Sequence, residues 1–363
     1  MSKKKIVFLL NSIQIQRVVK RINSFLEAGY EIEVYGFDRI GVSPCGLKAH
    51  FNYKIIGEFP NNTPYLRRLS YMRKCIKKIA PDIKGRNCIL YLFGLDVAIV
   101  ARSVFKNKYI YEEADLVHTY ISNSLVKNIM EWRDIKIIKK SLLTVLTSEG
   151  FVKYHFGNYP PSNIIVISNK LNPAILRLQQ IEKKVLDEEH LKIGFVGSFR
   201  FNSIVNFCKV FVENFPQHEL HVFGTMPENS PGRKLLSYKN FYFHGPFNNP
   251  DDLPIIYSNI DLSLSTYDAC TVNAQYAEPN KMYEAMYYET PIIVSKGTYL
   301  EQKVKRLGIG YAIDSMNDKE VIDFVTSLKK EGILKCVRNL RSIDKDSTIY
   351  KAEELFNRID TIL

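Results

Sequence analysis

A chain of 363 residues is long enough for two domains of ordinary size, and 46% apolar with 24% charged residues is globular composition, which excludes a disordered or fibrous protein. The net charge of +12 is unevenly held: residues 1–180 carry 28 Lys+Arg against 13 Asp+Glu, a net +15, while residues 181–363 carry −3. Such asymmetry predicts a polyanionic partner for the first half only: nucleic acid, an anionic membrane surface or a phosphate-bearing substrate.

Residues 1–5 and the apolar run 6–10 imitate a secretory leader, but polar Asn11 and Ser12 end the run, so neither secretion nor a membrane span is expected. The run instead predicts a first strand. Val18, Val19, Ile22, Phe25 and Leu26 follow at helical spacing, and Gly29 stops the helix before an alternating strand at 31–35, which makes one βαβ unit. Thr63 and Pro64 then open a helix whose stripe is Leu66, Leu69, Met72, Ile76 and Ile79, flanked by Arg67, Arg68, Arg73, Lys74, Lys77 and Lys78. This pattern suits both a helix packed on a sheet and an interfacial helix on anionic lipid, because long basic side chains reach past a packed stripe. Further strands read at 89–93, 109–112, 143–147 and 164–167.

Residues 178–190 are polar and charged, and the interdomain linker is expected there. A second strand series follows at 192–198, 219–223, 241–244, 260–265, 291–295 and 310–313. The fold class is therefore α/β, two doubly wound Rossmann-like domains facing a central cleft, with boundaries 1–180 and 191–345. The tail, 346–363, has Tyr350, Leu355, Ile359 and Leu363 on one helical stripe. It either caps the second domain or crosses back to the first. Six cysteines (Cys45, Cys75, Cys88, Cys208, Cys270, Cys336) show no C-x-x-C spacing and read as reduced, mostly buried thiols of a cytoplasmic protein.

The densest motif is Ala277-Glu278-Pro279-Asn280-Lys281-Met282-Tyr283-Glu284-Ala285-Met286, followed by the apolar run from Pro291 to Ser295. A helix opening at Pro279 or Asn280 puts Lys281 and Glu284 on one face, an ammonium suited to a diphosphate and a carboxylate suited to ribose hydroxyls. Both lie at a helix end, so removing either is expected to leave the fold little changed. The strand 192–196 runs into Gly197-Ser198-Phe199-Arg200, a small turn whose N–H groups can approach phosphate, with Arg200 to supply charge. Gly224 and Gly245 stand after the next two strands, where each is also readable as a structural turn. In the first half, Tyr109-Ile110-Tyr111-Glu112-Glu113-Ala114-Asp115 ends in three carboxylates and Asp96 ends the preceding strand. Asp115, then Asp96, is the candidate general base, each also readable as a helix cap.

These motifs resemble GT-B glycosyltransferases, in particular the GT4-like enzymes of bacterial capsular, exopolysaccharide or O-antigen assembly. The resemblance rests on Pro279-x-Lys281-x-x-Glu284-Ala285 before Pro291-Ile292-Ile293, on the turn Val196-Gly197, and on Tyr111-Glu112-x-x-Asp115, Thr147-Ser148-x-x-Phe151 and Val166-Ile167-x-Asn169. It implies sugar transfer from a nucleotide-diphosphate sugar, UDP favoured, to a lipid-diphosphate-linked glycan, by a cytoplasmic protein peripheral to the inner membrane face. It also implies a crossing-back last helix. Gly197, Ser198, Arg200, Gly224, Gly245, Tyr276, Glu278, Asn280, Lys281 and Glu284 would bind the donor. The chain departs where Asn202-Ser203 replaces a common Lys-Gly. It departs again where Tyr276 occupies the position eight before Glu284 that retaining enzymes give to glutamate, with Glu278 only six before. Retention or inversion therefore stays open.

No G-x-G-x-x-G or P-loop motif occurs, so no dinucleotide cofactor is expected. No histidine pair has metal spacing, and Asp344-Lys345-Asp346 reads as a solvated turn, so no metal is expected. No aromatic-basic motif supports nucleic acid as the partner. A UDP-sugar epimerase and a noncatalytic nucleotide-sugar or glycan-binding scaffold are the alternative functions.

Overall fold

The computed structural model describes residues 5–41, 49–183 and 185–362. Cys45 and Leu363, named above, lie outside them, as do residues 1–4 and Lys184. The chain divides into two compact units, Met1–Ser168 with Ala352–Leu363, and Asn169–Lys351.

In the first unit the elements run β1 (Lys5–Leu10), α1 (Gln16–Glu27), β2 (Ile32–Ile40), β3 (Lys54–Pro60), α2 (Tyr65–Ile83), β4 (Cys88–Phe93), α3 (Leu95–Val104), β5 (Tyr109–Glu113), α4 (Ser124–Lys140), β6 (Leu143–Leu146), α5 (Glu149–Phe156) and β7 (Ile164–Val166). They build a parallel sheet in the order β3-β2-β1-β4-β5-β6-β7. Strands β1 and β4 are continuous apolar runs because helices cover both faces of a parallel sheet, and all of β4 is buried. Strand β3 was not expected. It is a largely exposed edge strand with Gly57 inside it, where a Cβ would lie 2.8 Å from Cys75 Sγ of α2.

Helix α2 buries Met72, Cys75, Ile76, Ala80 and Ile83 and packs Leu69 and Ile79 partly buried against the core, while Leu66 of the expected stripe is 63% exposed. Two other expectations there need correction. Thr63 does not cap the helix; its hydroxyl donates to the Pro60 carbonyl at 2.6 Å. Arg68 leaves the basic flank and turns inward, its Nε 3.3 Å from Asp96.

The second unit runs β8 (Lys192–Val196), α6 (Asn202–Asn214), β9 (Glu219–Phe223), β10 (Phe241–Gly245), α7 (Leu253–Ser258), β11 (Leu262–Ser265), α8 (Val272–Tyr276), α9 (Asn280–Tyr287), β12 (Ile292–Ser295), α10 (Tyr299–Leu307), β13 (Gly310–Ile313), α11 (Asp318–Ser327) and α12 (Lys330–Arg341). Its parallel sheet has the order β10-β9-β8-β11-β12-β13, so the winding reverses between β8 and β11. Residues 178–190, expected as a linker, lie wholly inside this unit. Gln180 donates to the Tyr287 hydroxyl at 3.3 Å, Lys183 to the Thr290 hydroxyl, and Glu188 accepts from the Lys330 N–H at 2.6 Å. Polar composition there serves hydrogen bonding to α9, its C-terminal flank and α12.

The last helix, α13 (Glu353–Ile362), belongs to the first unit: Phe356 meets Phe25 of α1 edge-on at 5.0 Å, and Tyr30 donates to Asp360 at 2.7 Å. Tyr350 of the expected stripe stays with the second unit, its N–H bonded to the Leu171 carbonyl. Among the described residues no helix is long and apolar enough to cross a membrane. Cys75, Cys88, Cys208 and Cys336 are buried free thiols and Cys270 is an exposed one.

Candidate active site

The three glycines singled out in the second half meet at adjacent strand ends. Gly197 (φ +145°) follows β8 and donates to the Phe223 carbonyl at 2.7 Å; Gly224 (φ +135°) follows β9 and donates to the Gly245 carbonyl at 2.7 Å. A Cβ on Gly224 would stand 1.9 Å from the Gly197 carbonyl oxygen, so only glycine fits. A Cβ on Gly197 would stand 2.9 Å from Lys281 Cε and 3.0 Å from Nζ. The Lys281 ammonium therefore lies directly over the glycine turn. Of the N–H groups in this turn expected to approach phosphate, that of Gly197 bonds to a carbonyl instead, as do those of Phe199 and Arg200.

Helix α9 holds Lys281 by burying Met282, Tyr283, Ala285, Met286 and Tyr287. Glu284, on the same helix, is only 1% exposed. Its Oε2 accepts from the Tyr257 hydroxyl at 2.8 Å and its Oε1 from Asn280 Nδ2 at 3.1 Å. Burial raises its pKa, against the opposing pull of the Lys281 ammonium and the Tyr257 hydroxyl. Glu284 is thus a desolvated carboxylate aimed by two donors, and the expectation that its loss would spare the fold is corrected by that burial. Asn280 orients Glu284.

The other donor-side candidates are placed differently. Glu278 is buried with Oε2 accepting from Tyr283 at 2.6 Å and Oε1 facing Lys303 Nζ at 3.1 Å, so an internal ion pair engages both oxygens. Tyr276 ends α8, half-buried. Ser198 is half-buried, and Arg200 is exposed with its guanidinium 5.0 Å from the Phe201 ring centre.

Sequence reasoning missed Asp268. Its carboxylate accepts from the N–H groups of Ser203 at 2.8 Å and Asn202 at 3.4 Å, and so occupies the N-terminus of α6. A helix start beside the reversal of strand order is where a phosphate commonly sits, and here a carboxylate of this chain takes that place. Asp268 lies 65 residues from Ser203 in sequence, which leaves no local signal. Next to it a cavity of about 590 Å³ opens at the ends of β11, β12 and β13, lined by Tyr267, Asp268, Ser295, Lys296, Asp314 and Ser315 among others. Also unforeseen is a ring stack before Gly224 and Gly245, with Phe223 and His244 4.2 Å apart at 6°.

In the first unit the strand-end carboxylates separate by environment. Glu112 is buried and paired with Arg21 (Nε to Oε2, 2.9 Å), with Tyr91 donating to the same oxygen. Glu113 is buried against Asp134, and desolvation first, that neighbour second, push its carboxyl well above the usual range. Asp115 is exposed. Asp96 is buried in the first turn of α3, its Oδ1 accepting from the Val97 N–H at 2.9 Å while Arg68 and Arg39 face its Oδ2 at 3.3 and 3.9 Å. Neither aspartate is a helix cap: Gly94 precedes α3, and Asn123 caps α4.

No protein-family model matches the chain, and no curated protein does. Solved structures do resemble it over nearly its whole length. Sucrose-phosphate synthase from Thermosynechococcus elongatus matches with a TM-score of 0.70 at 14% identity, covering 99% of this chain and 98% of that one. Anabaena HepE in complex with UDP and glucose matches with a TM-score of 0.69 at 13% identity over 99% and 98%. A putative UDP-N-acetylglucosamine 2-epimerase from Listeria monocytogenes matches with a TM-score of 0.61 at 14% identity over 99% and 96%. With two parallel α/β units of this topology and these neighbours, the chain has the GT-B fold of glycosyltransferases.

Proposed function

We propose that this protein is a glycosyltransferase that moves a sugar from a UDP-sugar to a lipid-diphosphate-linked glycan at the cytoplasmic face of a bacterial membrane. The observation that carries this reading is the Lys281 ammonium over the Gly197 turn with Glu284 one helical turn on. In this scheme Lys281, helped by Arg200, meets the negative charge that develops on the departing diphosphate, so the transfer step runs without a metal. Glu284 accepts from ribose hydroxyls, the Phe223–His244 stack and Gly245 flank the base, and the cavity beside Asp268 takes the sugar.

On the acceptor side Asp115 takes the hydroxyl proton. Asp96 is set aside because it is buried with the guanidinium groups of Arg68 and Arg39 facing the oxygen that would have to take the proton. Membrane association is supported by the basic excess of the first half and by exposed Leu125, Ile129 and Trp132 on α4 beside Lys136.

Thermal-shift titration with UDP, GDP and their sugars tests the donor assignment: UDP and a UDP-sugar raise the midpoint, and no response to any nucleotide would favour a noncatalytic scaffold. Transfer to membrane-extracted lipid acceptor persists when EDTA is added with the substrates; immediate loss restored by Mg²⁺ would remove Lys281 from its role. The likeness to the putative Listeria epimerase favours a second reading, UDP-sugar epimerisation, which is decided by product formed from the donor alone.

A further inference from the structure

Behind the end of β5, on the interior side of the segment that carries Asp115, four segments bring polar side chains into an interior closed to bulk solvent. Glu113 comes from β5, His118 from the short 3-10 turn Val117–Tyr120, Asp134 from α4 and His155 from α5. The side chains of all four are 0% exposed. Four of their atoms make no hydrogen bond: His155 Nδ1 and, from the other three residues, Glu113 Oε1, His118 Nδ1 and Asp134 Oδ2. One ligand atom from each of these three residues lies within 4.8 Å of those from the other two.

The protonation pattern sharpens the case. The Tyr154 hydroxyl donates to Glu131 at 3.0 Å, so toward His118 Nε2, 3.2 Å away, it accepts. His118 therefore carries a proton on Nε2, and in the neutral ring the bare lone pair is on Nδ1. That lone pair faces Asp134 Oδ2 at 3.3 Å. Two lone-pair atoms at this separation, shut off from bulk solvent and with a second carboxylate beside them, repel unless something positive lies between. The separation equals the edge of a tetrahedron whose metal–ligand bonds are about 2.0 Å.

The outer contacts are those of ligands held in place. Asp134 Oδ1 accepts from the Tyr111 hydroxyl at 3.0 Å, Glu113 Oε2 faces His155 Nε2 at 2.9 Å, and His118 Nε2 is held by Tyr154. Each candidate ligand thus presents one atom inward and has its other polar atom fixed by a neighbour.

We propose that Glu113, His118 and Asp134 bind a structural zinc ion, with Tyr111, Tyr154 and His155 as the outer partners. Two carboxylates cancel the charge of a divalent ion, and imidazole with carboxylate is a usual zinc ligand set. The ion would tie β5, the following turn and α4 together directly behind Asp115. It touches no substrate, and the proposal stands independently of the transfer reaction.

The test uses the full chain, expressed in zinc-supplemented medium and purified without metal-affinity resin. Elemental analysis is expected to find about one zinc per chain after dialysis, and cobalt expressed in its place to give the visible bands of a tetrahedral site. Glu113→Gln combined with His118→Asn is expected to abolish retention, and Tyr154→Phe, which removes only an outer contact, to weaken zinc affinity about tenfold in chelator competition. Zinc below about a tenth of an equivalent in the unaltered protein, or equal zinc in the double variant, would overturn the proposal and leave a cluster neutralised by protons alone. If the double variant fails to fold, the metal content of the unaltered protein and the Tyr154→Phe affinity decide between the same two results.

Discussion

Replacing Glu284 by glutamine separates the two roles that burial gives this carboxylate. The amide keeps the acceptor for Tyr257, and rotation of the Asn280 amide restores the second contact, so no buried hydrogen bond is lost. What disappears is a charge held in a desolvated site. Because burial raises the folded pKa above its ordinary value of 4.5, the folded state binds more protons than the unfolded chain between 4.5 and that raised value. Stability of the unaltered protein therefore falls as pH rises through this window and is then level, and Glu284→Gln lacks this component of the fall. The variant is expected to match the parent in thermal midpoint near pH 4.5 and to exceed it at pH 8, while UDP affinity at pH 8 drops. The amide keeps a neutral hydrogen bond to ribose but not its charge-assisted part, a loss of about 1–1.5 kcal/mol, or five- to twelvefold in Kd. Calorimetric titration with UDP and thermal unfolding across pH 4.5–8 measure both. A variant less stable by the same margin at every pH, or one with unchanged UDP affinity, refutes the argument.

Lys281→Ala removes a charge-assisted contact to diphosphate and is expected to weaken UDP about ten- to hundredfold by calorimetry; an unchanged Kd would sink the leaving-group role. Gly224→Ala forces a Cβ to within 1.9 Å of the Gly197 carbonyl, so the urea midpoint should fall by an amount equivalent to about 1–3 kcal/mol and UDP binding with it, and a variant as stable as the parent would contradict the stacked-turn geometry. Changing Arg67, Arg73, Lys74, Lys77 and Lys78 of α2 to glutamine, while leaving Arg68 on Asp96, should release the protein from anionic vesicles in co-sedimentation at about 0.1 M salt without altering UDP affinity. Equal binding to neutral and anionic vesicles would assign the basic half to substrate phosphate.

Strands β1, β4, β8, β11 and β12 were legible because a strand buried on both faces of a parallel sheet must be a short apolar run between turn residues, and β9 was legible by its alternation. Edge strand β3 was not, since one exposed side, Gly57 and Pro60 remove that signature. Lys281 and Glu284 could be paired from sequence because three residues on a helix is a local spacing. The same spacing could not show that Glu284 is buried under Tyr257, which lies 27 residues away.

Every reassignment in the sites has this form. Asp268 reaches the start of α6, Glu278 is engaged by Lys303 across 25 residues, and Asp96 is held by Arg68 of α2. The metal-like cluster joins a strand, a turn and a helix through Glu113, His118 and Asp134. Chain-local chemistry, namely apolar periodicity, glycine at strand ends and charge spacing on one helix, is written in consecutive residues and determined the two-unit α/β architecture and the Lys281 motif. Which carboxylates are engaged, which are exposed and which face a histidine nitrogen that makes no hydrogen bond depends on side chains brought together by sheet order, because burial and pairing energies act through space and carry no period along the chain.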